Sequence, residues 1–344
     1  MSATDALLPG GPGQILQVTG LRKYFPVRGG ILGRQKAWVQ AVDGVSFSVN
    51  EGETLGIVGE SGCGKSTTAR LLVGLIDRDK GDVRLEGRTL GEDLSVRDLR
   101  GRMQMVFQDS YASLNPRLTI EESIAFGARV QGLSDPIGRA RDLMARVGLD
   151  PARFARRYPH EVSGGQRQRI NIARALAMSP RIVVLDEAVS ALDKSVEAQV
   201  LNLLADLRAE FGLTYIFISH DLNVVRYISD RVLVMYLGEV VEVAPVDLIW
   251  SRQAHPYTRS LFSAMPSMDP DHRTEKPPLT GDPPNPINPP SGCRFHTRCR
   301  YAEDVCKGRV PTMRDVSDGQ GHLAACHLHD RASGHSRAGE EGVA

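Results

Sequence analysis

A short glycine-rich loop is the clearest place for chemistry in this chain. Residues 59–66 match the pattern Gly-x-x-x-x-Gly-Lys-Ser. Glycines let backbone N–H groups converge on phosphate oxygens, and a helix beginning after the loop adds the positive end of its dipole. In this pattern Lys65 reaches the β and γ phosphates and the Ser66 hydroxyl ligates Mg²⁺. The predicted phosphate-binding residues are Gly59, Glu60, Ser61, Gly62, Cys63, Gly64, Lys65, Ser66 and Thr67.

The segments on either side of the loop must position it for phosphate binding. Residues from Thr54 to Gly59 form a short apolar run that predicts a buried strand, and Thr67 to Ile76 have helical spacing. Strand, glycine loop and helix in that order are what a phosphate-binding loop requires. A chance match in a glycine-rich turn would lack this context.

Two adjacent acids end a second apolar strand, from Ile182 to Leu185. Ligands of α/β sheets bind at the carboxyl ends of the strands, so Asp186 is placed to hold Mg²⁺ and Glu187 to act as general base for an attacking water. Such a pair alone could be a surface turn, but a phosphate loop earlier in the chain favours the catalytic interpretation.

Between these motifs lies Val-Ser-Gly-Gly-Gln-Arg-Gln-Arg, from Val162 to Arg169. Ser163, Gly164 and Gly165 at a helix start offer a hydroxyl and bare N–H groups to an anion, as would an ordinary capped helix. The segment resembles the signature motif of ABC-type ATPases, which usually begins with Leu where this chain has Val162. The resemblance covers roughly residues 14–265.

Three further residues resemble elements of the ABC family, in the family's order. Gln108 resembles the Q-loop glutamine, Asp193 the D-loop aspartate and His220 the switch histidine. The resemblance implies that Gln108 contacts Mg²⁺ and the attacking water and senses the membrane subunit. It implies that His220 holds the γ-phosphate and that Asp193 communicates across a dimer. The implied catalytic residues are therefore Glu187, His220, Gln108 and Lys65, and the implied Mg²⁺ ligands are Ser66, Gln108 and Asp186.

The resemblance also implies a head-to-tail pair of ATPase domains. Each ATP is then bound by the phosphate loop of one domain and by the signature residues of the other, here Ser163, Gly164, Gly165 and Gln166. An aromatic residue near the N-terminus usually stacks on adenine; Tyr24 and Phe25 both fit, and alignment with the usual pattern favours Phe25.

Several segments are similar to the ATPases of oligopeptide and dipeptide importers, a group that includes nickel and glutathione importers. They are the loop from Val27 to Lys36, the run from Tyr111 to Pro116 and the tail from His255 to His296. The resemblance implies peptide import, with nickel, glutathione or opines as alternatives. It implies two separate permease subunits, a second and paralogous ATPase subunit in preference to a homodimer, and indirectly an extracytoplasmic binding protein.

Four of the five cysteines cluster near the C-terminus: Cys293, Cys299, Cys306 and Cys326. Without an export signal, metal binding is a better interpretation of the cluster than disulfides. Their spacing matches neither the bacterial ferredoxin run nor the paired C-x2-C of zinc ribbons. Because some members of the family carry an iron–sulfur cluster here, a [4Fe–4S] cluster is favoured over zinc, with free thiols as the third alternative.

Bulk properties limit the remaining functions. The net charge of +1 argues against a field-driven nucleic-acid binder, so no nucleic-acid partner is expected. No signal peptide and no run of about 18 apolar residues occur, so we expect a peripheral protein on the cytoplasmic face of the membrane. A soluble ABC ATPase of DNA repair or translation would carry a coiled-coil insertion or a second ATPase domain. A non-hydrolysing subunit would lack Glu187 or His220.

Strands alternating with helices predict an α/β fold with a mainly parallel sheet. By resemblance, the fold is that of a P-loop ABC-type ATPase with an antiparallel β subdomain and a helical subdomain, followed by a small Cys-rich extension. The predicted divisions are the ATPase domain at 14–265, a Pro-rich linker at 266–292, the Cys-rich extension at 293–330 and a disordered tail at 331–344.

Overall fold

The computed structural model describes residues 13–29, 34–265 and 281–339, which form two sheets and a set of helices. The strands are β1 (Gln14–Gly29), β2 (Arg34–Asn50), β3 (Thr54–Val58), β4 (Lys80–Leu85), β5 (Arg88–Thr89), β6 (Met103–Val106), β7 (Ile182–Asp186), β8 (Thr214–Ile218), β9 (Arg231–Tyr236), β10 (Glu239–Pro245), β11 (Met313–Asp315) and β12 (Leu323–Ala325). The α-helices are α1 (Lys65–Leu72), α2 (Val96–Arg102), α3 (Ile120–Gln131), α4 (Pro136–Arg146), α5 (Pro151–Phe154), α6 (Gly164–Leu176), α7 (Lys194–Phe211), α8 (Leu222–Ile228), α9 (Val246–Ser251), α10 (Pro256–Ser263) and α11 (Asp304–Gly308). Single 3₁₀ turns cover Pro159–Glu161, His296–Arg298 and His327–His329.

The larger sheet has eight strands in the order β11-β12-β10-β9-β3-β8-β7-β6. Its five strands from β9 to β6 are parallel, and β10, β12 and β11 continue the sheet in antiparallel pairs. Neighbouring residues of β7 point into different cores, with Val183 and Leu185 in one and Ile182 and Val184 in the other. Burial on both faces explains why these strands are continuous apolar runs. The predicted α/β class with a mainly parallel sheet is confirmed.

A second sheet of four antiparallel strands has the order β2-β1-β4-β5. Its first two strands form one long hairpin that extends from Gln14 to Asn50, with residues 30–33 outside the described part. The loop predicted from Val27 to Lys36 is therefore shorter than expected, because strand pairing runs as far as Gly29 opposite Arg34. This hairpin brings residues near the N-terminus to the phosphate loop.

The helical subdomain consists of α3 to α6 and lies between the motif-bearing strands β6 and β7 in the sequence. Helix α3 begins with a complete capping box in which Thr119 and Glu122 each bind the other's backbone N–H. Apolar residues such as Ile124, Met144 and Ile170 are fully buried between the helices. The subdomain ends at α6, whose start carries the signature residues.

The C-terminal extension is joined to the ATPase core. Strand β12 pairs with β10, so the extension adds its two strands to the edge of the main sheet. Residues 266–280 of the predicted linker lie outside the described ranges, whereas the Pro286 carbonyl accepts a hydrogen bond from the Gln40 N–H. The predicted disorder is wrong for 331–339, where Ser333 and His335 are buried; residues 340–344 lie outside the described ranges.

Candidate nucleotide site

Four neighbouring strands of the main sheet deliver the predicted residues to one edge. In the order β3, β8, β7 and β6, their carboxyl ends lead into the phosphate loop, His220, Asp186–Glu187 and Gln108. Carboxyl ends of parallel strands lie at the same edge, which is where ligands of such sheets bind. The sequence order of the motifs is thereby converted into a spatial cluster.

The phosphate loop depends on glycine at close approaches of the backbone. A Cβ atom on Gly59 would lie 2.2 Å from the Met235 carbonyl oxygen, and one on Gly64 would lie 2.3 Å from the Ala41 carbonyl oxygen. Both glycines also have positive φ angles, 149° and 108°, which favour glycine. The Lys65 Nζ donates to the carbonyl oxygens of Gly59 (2.7 Å) and Glu60 (3.0 Å). The loop is thus folded around its own lysine.

The predicted Mg²⁺ ligands Ser66 and Asp186 are in contact. The Ser66 hydroxyl donates to Asp186 Oδ1 at 2.9 Å. Burial raises the pKa of the Asp186 carboxyl, the Ser66 hydrogen bond lowers it, and the neighbouring charge of Glu187 raises it. A cation between these groups would favour the ionised carboxylate, since it supplies the positive charge that burial otherwise denies.

Glu187 lies close to two of the other three predicted catalytic side chains. The Gln108 amide Nε2 donates to Glu187 Oε2 at 2.7 Å, and His220 Nδ1 lies 3.5 Å from the same oxygen. Glu187 has φ of 48°, in the left-handed region, and its N–H donates to the Ile218 carbonyl at 2.9 Å. Strain of this kind is common at functional sites, where the surrounding structure holds it in place.

These groups surround a cleft of about 360 Å³. Its polar wall is formed by Ser61, Gly62, Gly64, Lys65, Ser66, Thr67, Gln108, Glu187 and His220. Asp186 is buried and contacts the cleft residue Ser66. The other wall of the cleft contains Val39, Ala41 and Pro286, which no sequence motif identified. Their position follows from the long hairpin and from the linker returning to β2, both of which are tertiary features.

The two candidate aromatic residues occupy different environments. Phe25 pairs directly with Val39 of the cleft wall and is 37% exposed. Tyr24 instead donates its hydroxyl to Asp43 Oδ1 at 2.8 Å, and burial followed by this bond raises its pKa. The aromatic ring next to the cleft wall is therefore that of Phe25.

The signature residues do not line this cleft. Ser163 is the exposed cap of α6, and its hydroxyl accepts a hydrogen bond from the Gln166 N–H in a capping box. A Cβ atom on Gly165 would lie 2.5 Å from Cγ1 of Val196, whereas one on Gly164 would meet nothing within 4 Å. Asp193 caps the adjacent helix α7 and accepts from the Val196 N–H, the bond that chiefly lowers its pKa.

Two loop side chains point away from the cleft. Cys63 is 3% exposed, and burial raises the pKa of its thiol. A reactive thiol needs exposure and a low pKa, and Cys63 has neither. The carboxylate of Glu60 pairs with Arg298 of the extension at 2.8 Å, a contact that no sequence motif predicts.

The four C-terminal cysteines line one small pocket beneath Phe295. All four are free, and burial raises the pKa of Cys293 to about 12 and raises those of Cys299 and Cys326. Nevertheless, no group of three or more His, Cys, Asp or Glu within 13–29, 34–265 and 281–339 is arranged to hold a metal ion. The structure therefore brings the thiols together but does not support a metal-ion site.

A phosphate loop, an Mg²⁺-type Ser–Asp pair and a glutamate held by Gln and His define a P-loop ATPase site. Comparison with known proteins identifies the family to which the chain belongs. Residues 42–190 match the family model described as ABC transporter, and residues 241–306 match that of the C-terminal region of oligopeptide/dipeptide transporters. A dimeric ATP-binding cassette, MJ0796, solved in a post-hydrolysis state with ADP and Pi, is similar at a TM-score of 0.59 and 29% identity, covering 67% of this chain and 99% of that one.

Curated relatives match over nearly the whole chain. The oligopeptide transport ATP-binding protein AppF of Bacillus subtilis is 47% identical, covering 92% of this chain and 97% of the relative. The dipeptide transport ATP-binding protein DppF of Haemophilus influenzae is also 47% identical, covering 91% and 96%. This chain belongs to the ABC transporter family, in the branch of oligopeptide and dipeptide ATP-binding subunits. Within the described ranges, no helix is long and apolar enough to cross a membrane.

Proposed function

We propose that this chain is the ATP-hydrolysing motor subunit of an importer that takes up peptides through separate membrane permeases. The observation that carries the proposal is the convergence of Lys65, Ser66 and Glu187 in one open cleft, with Asp186 in contact with Ser66. The names of the relatives supply peptides as the substrate class. Nickel, glutathione or opines are alternatives, because permeases and an extracytoplasmic binding protein set the selectivity.

Hydrolysis in this proposal is a matter of position and charge. Lys65 exchanges its two loop carbonyls for the β and γ phosphate oxygens, which are stronger acceptors because they are charged. Ser66 and Asp186 hold Mg²⁺, with Gln108 as a further contact. Glu187 accepts a proton from the attacking water, and Gln108 and His220 orient that water around its carboxylate.

The adenine end of ATP lies, in this proposal, against Phe25 and the apolar wall. Three observations favour Phe25 over Tyr24: its exposure, its pairing with Val39 and the engagement of the Tyr24 hydroxyl with Asp43. Stacking on an aromatic face tolerates the rotation of the base, which suits a loosely bound adenine.

The site is completed by a second ATPase chain. Ser163 is exposed and Gly164, Gly165 and Gln166 are half-buried, and all four lie outside the cleft, so this surface is available to the γ-phosphate of a facing subunit. Asp193 lies next to this surface and is the proposed contact between the two sites. A paralogous partner is favoured over a second copy, because importers of this group often use two different ATPase chains.

Coupling to the membrane runs through the segment that contains Gln108. Its neighbour Phe107 lines a groove of about 300 Å³, together with Leu75 and Phe126, which are 46% and 55% exposed. Consecutive residues thus face the groove and the nucleotide cleft. We assign this groove to cytoplasmic helices of two permease subunits, which places the chain peripherally on the cytoplasmic face of the membrane.

For the cysteine pocket, the proposal is that Cys293, Cys299, Cys306 and Cys326 hold a [4Fe–4S] cluster, with Zn²⁺ as the alternative. A tetrahedral zinc site sets its sulfurs about 3.8 Å apart, given Zn–S bonds of about 2.3 Å. A four-iron cluster is larger than a single ion. What supports the proposal is that all four thiols line one shared pocket. Bound metal would also keep ionised the thiols that burial otherwise keeps neutral.

Metal analysis after strictly anaerobic purification tests the cysteine proposal. Near-equal iron and acid-labile sulfide, about four of each per chain, is the expected result for a [4Fe–4S] cluster. Zinc alone selects the alternative, and the absence of all three elements reduces the cysteines to free thiols. Neither of these last two outcomes alters the ATPase proposal.

Affinity purification of the tagged chain from its own membranes tests the transport proposal. The expected co-purifying proteins are two polytopic permeases and a second ATPase. Replacing Phe126 in the groove with Glu should release the permeases while ATP binding persists, since the cleft is a separate surface. Recovery of ribosomes or DNA in place of permeases would overturn the proposal.

A further inference from the structure

The C-terminal extension contacts the phosphate loop through one buried ion pair. Arg298 Nη1 lies 2.8 Å from Glu60 Oε2, and its Nη2 lies 3.1 Å from Oε1, so the pair is bidentate. The side chains of Arg298 and Glu60 are only 6% and 22% exposed. Arg298 belongs to the 3₁₀ turn that leads into Cys299, whereas Glu60 is the second residue of the phosphate loop.

Glu60 connects three parts of the molecule. Its N–H donates to the Tyr257 hydroxyl at 2.9 Å, and its carbonyl accepts from Lys65 Nζ at 3.0 Å. Tyr257 in turn packs against Phe295 of the extension, with ring centroids 5.5 Å apart. The backbone and side chain of this loop residue are therefore both fixed by groups outside the motif.

We propose that Arg298 is a positioning residue for the phosphate loop, through which the extension sets the affinity for ATP. Without Arg298, the Glu60 carboxylate would be an uncompensated negative charge beside a triphosphate. The loop would also lose the bidentate contact that restrains it. Both changes weaken ATP binding, and the first is removed when Glu60 itself is neutralised.

This inference rests on the proposed ATP site, and a double-mutant cycle on the full chain tests it. The readout is the dissociation constant of a fluorescent ATP analogue with Mg²⁺. Arg298→Ala should raise this constant about tenfold, while the same change in a Glu60→Gln background should raise it less than about threefold. Turnover at saturating ATP should fall much less than the apparent affinity, since no catalytic residue is touched.

Arg314→Ala is the matched control, because Arg314 pairs with Asp330 within the extension at 2.9 Å. It should leave the dissociation constant within about twofold of the wild-type value. If Arg298→Ala does not fold, Arg298→Lys, which keeps the charge but loses the bidentate geometry, should show a rise of about threefold that Glu60→Gln removes.

Equal affinities of the Arg298 variants and the wild type would overturn the inference. It is also overturned if Arg298→Ala weakens binding equally in both Glu60 backgrounds, because the effect would then not pass through the carboxylate. If instead Lys65→Ala retained full ATP affinity, the proposed ATP site would fail. The two failures are thus distinguishable.

Discussion

The phosphate-loop cleft and the Ser163 surface are two proposed phosphate-binding regions of one chain, and they differ in shape and in their internal contacts. The cleft is concave, and its lysine, carboxylates and amide already contact one another. The Ser163 surface is an exposed helix start, stiffened by its capping box and by close packing of Gly165 on Val196. In the proposed function, the first region binds the nucleotide, and the second closes over a nucleotide bound by a facing subunit.

Removing the Lys65 side chain should have the largest effect on the difference between the two regions. Lys65→Ala eliminates the group that reaches the phosphates, and we expect ATP affinity to fall about 100-fold or more. Titration with a fluorescent ATP analogue measures the effect. Lys307→Ala, at an exposed lysine of the extension, is the control and should bind normally. Unchanged binding by the Lys65 variant would remove the distinction between the two regions.

The adjacent glycines of the signature surface sharpen the comparison. Gly165→Ala pushes a methyl group against Val196 and should lower the free energy of unfolding by about 1–3 kcal/mol. Gly164→Ala meets nothing and should unfold at the wild-type temperature while lowering turnover in the assembled transporter. Thermal unfolding and ATPase assays of both variants separate packing from function. Equal stability of the two would contradict the close contact.

The aromatic neighbours test the opposite end of the cleft. Phe25→Ala should weaken ATP binding about fivefold through lost stacking. Tyr24→Phe removes only the hydroxyl that binds Asp43 and should change affinity less than twofold, in line with a modest hydrogen bond. A larger loss from the Tyr24 variant would reverse the assignment. Comparing the affinities for GTP and ATP would show whether the site distinguishes guanine from adenine.

Cys63 should show the smallest effect. Its thiol is buried and its pKa is raised, so at neutral pH it stays protonated and reacts slowly. Treatment of the native chain with N-ethylmaleimide should therefore leave Cys63 unlabelled by peptide mass analysis, and label it after denaturation. Rapid labelling of the native chain would mean that the loop opens more than the structure indicates.

The motif residues of the cleft could be predicted because local sequence dictates them. A glycine loop requires close backbone approaches, and apolar runs that end in Asp186 or His220 identify buried strands and their carboxyl ends. Separation of the signature from the cleft within one chain followed from family resemblance. These features depend on short stretches whose physical roles are almost independent of the remaining chain.

The contacts of the extension could not be predicted in the same way. Strand β12 is three residues long, and it joins the main sheet by pairing with β10, about 80 residues earlier. Arg298 pairs with Glu60, and the Pro286 carbonyl accepts from the Gln40 N–H, across even larger separations in the sequence. Such pairings depend on tertiary packing. A single residue has no repeat or motif spacing in the sequence from which its distant partner could be predicted.

The most direct test of the ATPase account is phosphate release by the assembled transporter carrying Glu187→Gln. The variant keeps the shape of the side chain and its contact with Gln108 but cannot accept the proton from water. The control is Glu210→Gln, which alters an exposed carboxylate paired with Arg146. We predict that the Glu187 variant binds ATP with wild-type affinity, retains it and releases phosphate at less than about 1% of the wild-type rate. Near-normal turnover would contradict the assignment of Glu187 as the base.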